Sequence, residues 1–321
     1  SGDTTYFWDF GDGNTSLDHD PSHTFTTPGT YTIELSAFGC GFDSYSTTVV
    51  VQPSPEVSFT STPATVCVGL PFTFESTTPG PVGLAWDFGD GATSTLTSPQ
   101  HIYATSGTFD VTLTATSALN SCTTSLTQQV TVNATPVAAF TPDPVTGCID
   151  LDVAFSNQSS GNMFNQWDLG DGNTSTVAEP FHTYTTAGTY TVQLVAESVN
   201  GCTDTTTAEV VAHPLPTSAF TLSEYATCED SATVQTINAS IGAVGYAWDF
   251  GNGGTSVLNQ PQITFNTPGT YIVTLTTTNQ YGCEAMSSQT FIQHPRPVAG
   301  FTATPQPGCE GYPISFGNTS V

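Results

Sequence analysis

The sequence predicts an all-β chain, a tandem array of small β-sandwiches. Three observations predict it. A unit of about 80 residues recurs along the 321. Apolar and polar side chains alternate with the period of a strand. Gly, Pro, Asn and Asp interrupt that alternation at regular places.

The repeat is organised around Trp8-Asp9-Phe10-Gly11-Asp12-Gly13. It returns as Trp86-Asp87-Phe88-Gly89-Asp90-Gly91 and Trp167-Asp168-Leu169-Gly170-Asp171-Gly172. A fourth copy is altered, Trp248-Asp249-Phe250-Gly251-Asn252-Gly253. Gly29, Gly107, Gly188 and Gly269 each follow their Trp by 21 positions. Phe59, Phe140, Phe220 and Phe301 open successive units, spaced by 81, 80 and 81 residues. Cuts at the Pro-rich joints give a partial module 1–53, whole modules 54–134, 135–215 and 216–296, and the start of a further one, 297–321. This reads as a window of whole periods from a longer repetitive protein, so the lack of a visible signal peptide or membrane span carries no information.

Strand alternation is carried by Thr, Val, Tyr and Phe. In Tyr190–Ala196 the even positions are apolar while Thr191 and Gln193 face outward, as in an antiparallel sheet with one buried face. Tyr31, Ile33, Leu35 and Ala37 repeat the pattern, as do Tyr271, Val273 and Leu275. The Trp strand alternates as well, until Gly-Asp-Gly turns the chain. Each unit therefore holds about seven short strands, with a Trp on the third and a Tyr opening the sixth. That is a seven-stranded sandwich of immunoglobulin type. Joints such as His213-Pro214-Leu215-Pro216 are stiff and extended, so the array predicts an elongated rod.

Charge excludes several partners. Lys plus Arg is 1, Asp plus Glu is 27, and the formal net charge is −26. With Arg296 as its one fixed cation, the chain repels nucleic acid and anionic membrane. No nucleophile elbow, metal triad or phosphate-binding glycine loop is present, and no Lys is available for Schiff-base chemistry. His23, His101 and His182 share one position with Ile263, and Asp12, Asp90 and Asp171 share one with Asn252. An active site built on these residues would be absent from the fourth unit. The reading is a packed His at a strand start and a turn-forming Asp, in a protein that is not an enzyme.

Two uses of the acidic turns stay open. Asp9, Asp12 and Asn14, Asp87 and Asp90, and Asp168, Asp171 and Asn173 place oxygens close enough together to offer Ca²⁺ ligands. The same side chains can instead cap the amides of their own turns. No cofactor is required. Six Asn-x-Ser/Thr triplets begin at Asn14, Asn133, Asn157, Asn173, Asn238 and Asn318. Asp3-Thr4-Thr5, Asp204-Thr205-Thr206 and Asp230-Ser231-Ala232 resemble a bacterial O-glycosylation signal, with Thr4, Thr205 and Ser231 as acceptors.

The Trp-Asp-Phe-Gly-Asp-Gly core, Pro180–Tyr184 and Gly188–Val192 together resemble the PKD domain over nearly the whole chain. The resemblance implies PKD-type, immunoglobulin-like sandwiches. Long arrays with periodic cysteines resemble bacterial surface adhesins and filaments, including gliding-motility adhesins. Secreted chitinases and proteases carry the domain singly. Asn252 and Gly254 depart from the motif.

Eight cysteines at regular positions suggest disulfides and an extracellular or cell-surface location, with buried free thiols as the alternative. In an immunoglobulin-type sandwich the connection after the first strand and the last hairpin lie at opposite ends. Disulfide Cα atoms must lie within ~7 Å, so pairing inside one unit is disfavoured. The pairs expected are therefore Cys67 with Cys202 and Cys148 with Cys283, between units. Cys40, Cys122, Cys228 and Cys309 would bond beyond the window.

The function expected is a non-catalytic stalk or filament segment of a long extracellular adhesin. Its partners would be neighbouring modules, other copies in a filament, and glycans or cells reached through other regions. The alternative is a carbohydrate- or protein-binding accessory module of a secreted hydrolase. A glycan-binding row of aromatics would have to recur, and Phe42, Tyr45, Phe164, Tyr225, Tyr281 and Tyr312 do not.

Overall fold

The structure is a computed structural model that describes residues 4–80, 82–304, 306–308 and 310–321. Its regular elements are all strands. The chain forms two compact units, Ser1–Pro136 with Glu197–Thr203, and Val137–Ala196 with Asp204–Val321.

The second repeat shows how each sandwich is built. Its strands are Phe59–Thr62, Thr65–Cys67, Pro71–Ser76, Val82–Asp87, Thr93–Ser94, Gln100–Ile102, Gly107–Ser117 and Thr123–Asn133. Pro71–Ser76 lies between Phe59–Thr62 and Gln100–Ile102 in a three-stranded sheet. The facing sheet runs Thr65–Cys67, Thr123–Asn133, Gly107–Ser117, Val82–Asp87, Thr93–Ser94. All its pairs are antiparallel except one, where Val66 runs parallel beside Val132. The third and fourth repeats have the same two sheets.

Seven strands per unit are expected from the sequence, and eight segments are found. The opening strand breaks at Pro63-Ala64, and again at Pro144-Val145 in the next repeat. Proline has no N–H for a ladder, so the strand leaves one sheet there and rejoins the other. The fourth repeat makes the same change of sheet across Ser223–Tyr225 without proline. The Trp therefore sits on the fourth segment and the Gly-Thr-Tyr on the seventh.

The cores are aromatic. Phe59, Phe72, Phe74, Trp86, Phe88 and Tyr103 pack with Val111, Leu113, Val130 and Val132. The Trp86 ring meets Phe59 edge-on at 5.0 Å. Its N–H donates to the Leu96 carbonyl at 2.8 Å, so the burial leaves no orphan donor. Trp167 and Trp248 donate in the same way to Val177 and Leu258.

The end repeats are simpler. The first is a single sheet of Thr15–Ser16, Thr5–Asp9, Gly29–Phe38 and Phe42–Val51. The last is the pair Phe301–Thr304 and Ser315–Asn318.

Candidate functional site

The Gly-Asp-Gly turns are where the sequence concentrates its acidic oxygens. Asp87 Oδ1 accepts the Gly89 N–H at 2.9 Å, and Asp90 Oδ1 accepts the Ala92 N–H at 3.0 Å. Asp9 and Asp12 do the same for Gly11 and Asn14, and Asp168 and Asp171 for Gly170 and Asn173. Each carboxylate thus satisfies an amide that the turn would otherwise leave unpaired. In the fourth repeat Asn252 Oδ1 caps Gly254 as an aspartate would. Among the described residues no three acidic, His or Cys side chains converge as a metal-binding group. As folded, these turns commit one oxygen of each Asp to an amide.

At Asp12, Asp90 and Asp171 the second oxygen has a partner as well. His101 Nε2 donates to Asp90 Oδ2 at 2.7 Å. His23 and His182 make the same 2.7 Å bond to Asp12 and Asp171. The His101 ring also lies flat on Phe88, with centroids 4.3 Å apart. So the packed His and the turn-forming Asp, expected as separate features, also form one tether between the sheets. The signal was present in the sequence. The fourth repeat replaces both partners at once, with Asn252 and Ile263.

The His23 bond holds the Asp12 carboxyl below its ordinary value of 3.8. At Asp90 and Asp171 burial opposes ionisation. The Ala92 amide and His101 outweigh it at Asp90, as His182 and the Asn173 amide do at Asp171, and both groups titrate low. A carboxyl depressed by folding stabilises the fold above its unfolded pKa. That contribution disappears as pH falls through the folded value. The melting temperature is therefore expected to drop below about pH 3.8, the ordinary carboxylate value. The triple variant Asp12→Asn, Asp90→Asn, Asp171→Asn should show a flatter dependence. Calorimetry across pH 2.5 to 6, on the order of the carboxylate range, checks this.

Two tyrosine positions brace the same end of each sandwich. Tyr103 and Tyr184 donate to the carbonyls of Phe88 and Leu169 at 2.9 and 2.8 Å. Burial, with the nearby aspartates adding, pushes both phenols well above their ordinary range, so they remain donors. Tyr31, Tyr190 and Tyr271 reach back four residues to the carbonyls of Thr27, Thr186 and Thr267, in the manner of a tyrosine corner.

The cysteines carry the second functional arrangement. Cys67 bonds Cys202, with Cα atoms 5.7 Å apart. Cys148 bonds Cys283, with Cα atoms 5.6 Å apart. Each bond joins the continuation of the opening strand in one repeat to the last hairpin of the next, 135 residues on. Cys40 and Cys228 are exposed thiols and Cys122 is half-buried. Cys309 lies outside the described residues.

The Cys148–Cys283 bond is reinforced within its unit. The Tyr281 ring stacks on His213, with centroids 3.9 Å apart and planes within 8°. Asn279 Nδ2 donates to the Pro214 carbonyl at 2.7 Å, while its Oδ1 accepts the Cys283 amide at 3.0 Å. Tyr281 is therefore a joint residue. In sequence it is one of the aromatics that do not recur in register, so this contact has no periodic signature. Arg296, at the end of the fourth repeat, reaches Glu229 and Asp230 of the same repeat at 3.6 and 3.5 Å, as an exposed pair of modest worth.

The modification candidates divide by exposure. Asn14, Asn173 and Asn318 are exposed, as are Thr4, Thr205 and Ser231. Asn157 and Asn238 spend their amides on Asn165 and Asn259, and Ser231 donates to Asn266. Asp3 lies outside the described residues.

Comparison with known proteins gives the family. The PKD domain matches residues 1–53, 50–132, 133–212 and 214–293. Human polycystin-1 is 24% identical over 326 residues, covering 92% of this chain and 7% of that protein. The pre-pro-metalloprotease PrtV of Vibrio cholerae is 40% identical over 81 residues, covering 25% of this chain and 9% of that one. The chain thus spans under a tenth of these relatives. Among solved structures, the PKD1 domain of PrtV is 36% identical, covers 25% of this chain and 98% of its own, and has a TM-score of 0.22. The PKD1 domain of Vibrio anguillarum Epp is 32% identical, with coverages of 26% and 98% and a TM-score of 0.23. PKD modules with disulfides are typical of extracellular or secreted proteins. With four successive matches spanning most of its length, this chain belongs to the PKD domain family.

Proposed function

We propose that the chain is a non-catalytic stalk segment of a long extracellular, cell-surface adhesin, probed by its neighbours through stiff joints rather than through a site. One observation carries this reading. The joint between the third and fourth repeats is fastened by a disulfide, a ring stack and a side-chain hydrogen bond together. A binding module needs none of these, whereas a spacer that must transmit force or hold distance needs all of them. Strands of ten residues rise ~33 Å, so four modules in line reach on the order of 140 Å.

Small-angle scattering tests it. The expected maximum dimension is on the order of 140 Å, with a broader distribution of distances after reduction. A compact particle with a far smaller dimension would sink the stalk reading. The likeness to PrtV supports a second reading, an accessory module of a secreted hydrolase. Retention of the chain on chitin or cellulose, competed by soluble oligosaccharide, would favour that one.

The acidic turns fit this reading as structural caps. Calcium would have to compete with turn amides for Oδ1 of Asp87 and Asp90, and with His101 for Oδ2 of Asp90. Excess chelator is expected to leave the melting temperature unchanged, because no native-state ligand is removed. A clear drop on chelation would restore calcium as a structural ligand of the turns.

A further inference from the structure

The third repeat carries a cleft on the outer face of its five-stranded sheet. The cleft holds about 330 Å³ and is lined by Gln166, Asp168, Thr174, Thr176, Gln193 and Val195. Three neighbouring strands build it, Phe164–Asp168, Thr174–Ser175 and Gly188–Glu197. Along the first of these, alternation turns Trp167 into the core and leaves Phe164, Gln166 and Asp168 facing out. Gln193 faces out on the adjacent strand, and half-buried Val195 supplies the apolar part of the lining. Phe164 is 54% exposed. It stands one step along the strand face from Gln166, a spacing of about 7 Å.

The polar groups of the cleft are unspent. Asp168 Oδ1 accepts the Gly170 amide at 2.9 Å, which leaves Oδ2 free. Among the described residues, the side chains of Gln166, Gln193, Thr174 and Thr176 have no hydrogen-bond partner within the chain. On the same face of the second repeat, Thr112 and Thr114 bond Thr127 and Ser125 at 2.8 Å. The other repeats act as a control. At the positions of Phe164, Gln166 and Gln193 the second repeat has Gly83, Ala85 and Thr112. The fourth has Gly245, Ala247 and Thr274, and the first has Thr5, Phe7 and Glu34. Asp168 and Thr174, by contrast, recur as Asp87 and Thr93 and as Asp249 and Thr255. Every turn uses its aspartate. The exposed ring and the two long amides occur together in the third repeat alone, and the module folds without them elsewhere.

We propose that this face of the third repeat binds a glycan built of free amino sugars. The chemistry of the lining selects that class. Its one charged side chain is Asp168, and no cation lines it, so anionic sugars are rejected. A protonated amine on Asp168 Oδ2 makes a charge-assisted hydrogen bond. The net charge of −26 draws such a cation toward the chain. The remaining polar groups are neutral amides and hydroxyls spread along the cleft, which suits a ligand with several hydroxyls rather than one polar end. Phe164 lies where the adjoining sugar can stack its C–H face, and its ring also attracts a nearby amine. A cleft of this kind is local to one repeat and needs no recurring row of aromatics. The proposal goes beyond the stalk reading and is independent of it, since scattering reports length and binding reports this face.

Titration calorimetry of the 321-residue chain with a β-1,4-linked glucosamine trisaccharide in physiological salt tests it. The expected result is saturable binding at one site per chain. The double variant Gln166→Ala, Gln193→Thr installs the residues of the second and fourth repeats. Phe164→Thr installs that of the first. All three positions are exposed, so both variants should melt like the parent. Each is expected to bind the trisaccharide about tenfold more weakly or worse. Neither changes the net charge, so an attraction due to charge alone would leave both binding as the parent does, and that result overturns the proposal. Absence of binding by the parent, or several equal sites per chain, overturns it as well. The N-acetylated trisaccharide, which lacks the cation, and trilysine, which lacks the hydroxyls, should each bind at least about tenfold more weakly. Equal binding of either one refutes the amino-sugar assignment.

Discussion

Gly89→Ala is expected to lower the melting temperature of the second repeat by more than about 12 °C, a loss of about 3–5 kcal/mol. Gly91→Ala, two residues away, is expected to cost about 1 kcal/mol. Both glycines have positive φ, +81° and +94°, so both pay for a Cβ in the left-handed region. They differ in what that Cβ would meet. At Gly89 it would lie 2.6 Å from the backbone oxygen of Asp110, on the strand beneath. At Gly91 nothing lies within 4 Å. A backbone oxygen inside a ladder cannot move aside as a side chain can, so the turn must lift off the sheet. Scanning calorimetry of the two variants separates the contributions. Equal losses would mean that φ alone decides, and that the close approach is not a constraint. The same contact recurs at Gly11, Gly170 and Gly251, at 2.5 to 2.7 Å.

The double variant Cys148→Ser, Cys283→Ser is expected to destabilise the third and fourth repeats by about 2–4 kcal/mol and to separate their melting transitions. The bond closes 135 residues of chain and spans two sandwiches, so it restricts the unfolded state of both. While it is intact, unfolding one repeat leaves its chain tethered to the folded neighbour. Without it, the ring stack and the Asn279 bond remain, each worth about 1 kcal/mol. Those ties are too weak to make two sandwiches melt as one. A single unshifted transition in the double variant would show that the joint is held by packing alone. Adding Tyr281→Ala then tests whether the stack is that packing.

Parts of the candidate site were legible at once and parts were not. The turn glycines, their aspartates and the buried Trp follow from short-range rules that act within a few residues. The staples followed from one topological step, since the two cysteine positions lie at opposite ends of an immunoglobulin-type sandwich. The Asp90–His101 bond joins residues 11 apart, one in the turn after Val82–Asp87 and the other on a strand of the facing sheet. No periodicity reports such a contact, and its one trace is the paired loss at Asn252 and Ile263. Tyr281 leaves no periodic trace for a related reason. Its role depends on His213 in the preceding repeat, and no other repeat carries the same pair.

By itself, then, the sequence determined the repeat, the strand faces, the turn chemistry and the strongly acidic character. These depend on side-chain period, on glycine's freedom at positive φ and on summed charge, all of which are local or additive. The tertiary structure decided where the opening strand changes sheets, which oxygen of each aspartate is free to meet a histidine, and how one repeat is clamped to the next. Those outcomes depend on which sheet faces which and at what distance. Only the packed chain brings residues 135 apart to within 5.7 Å.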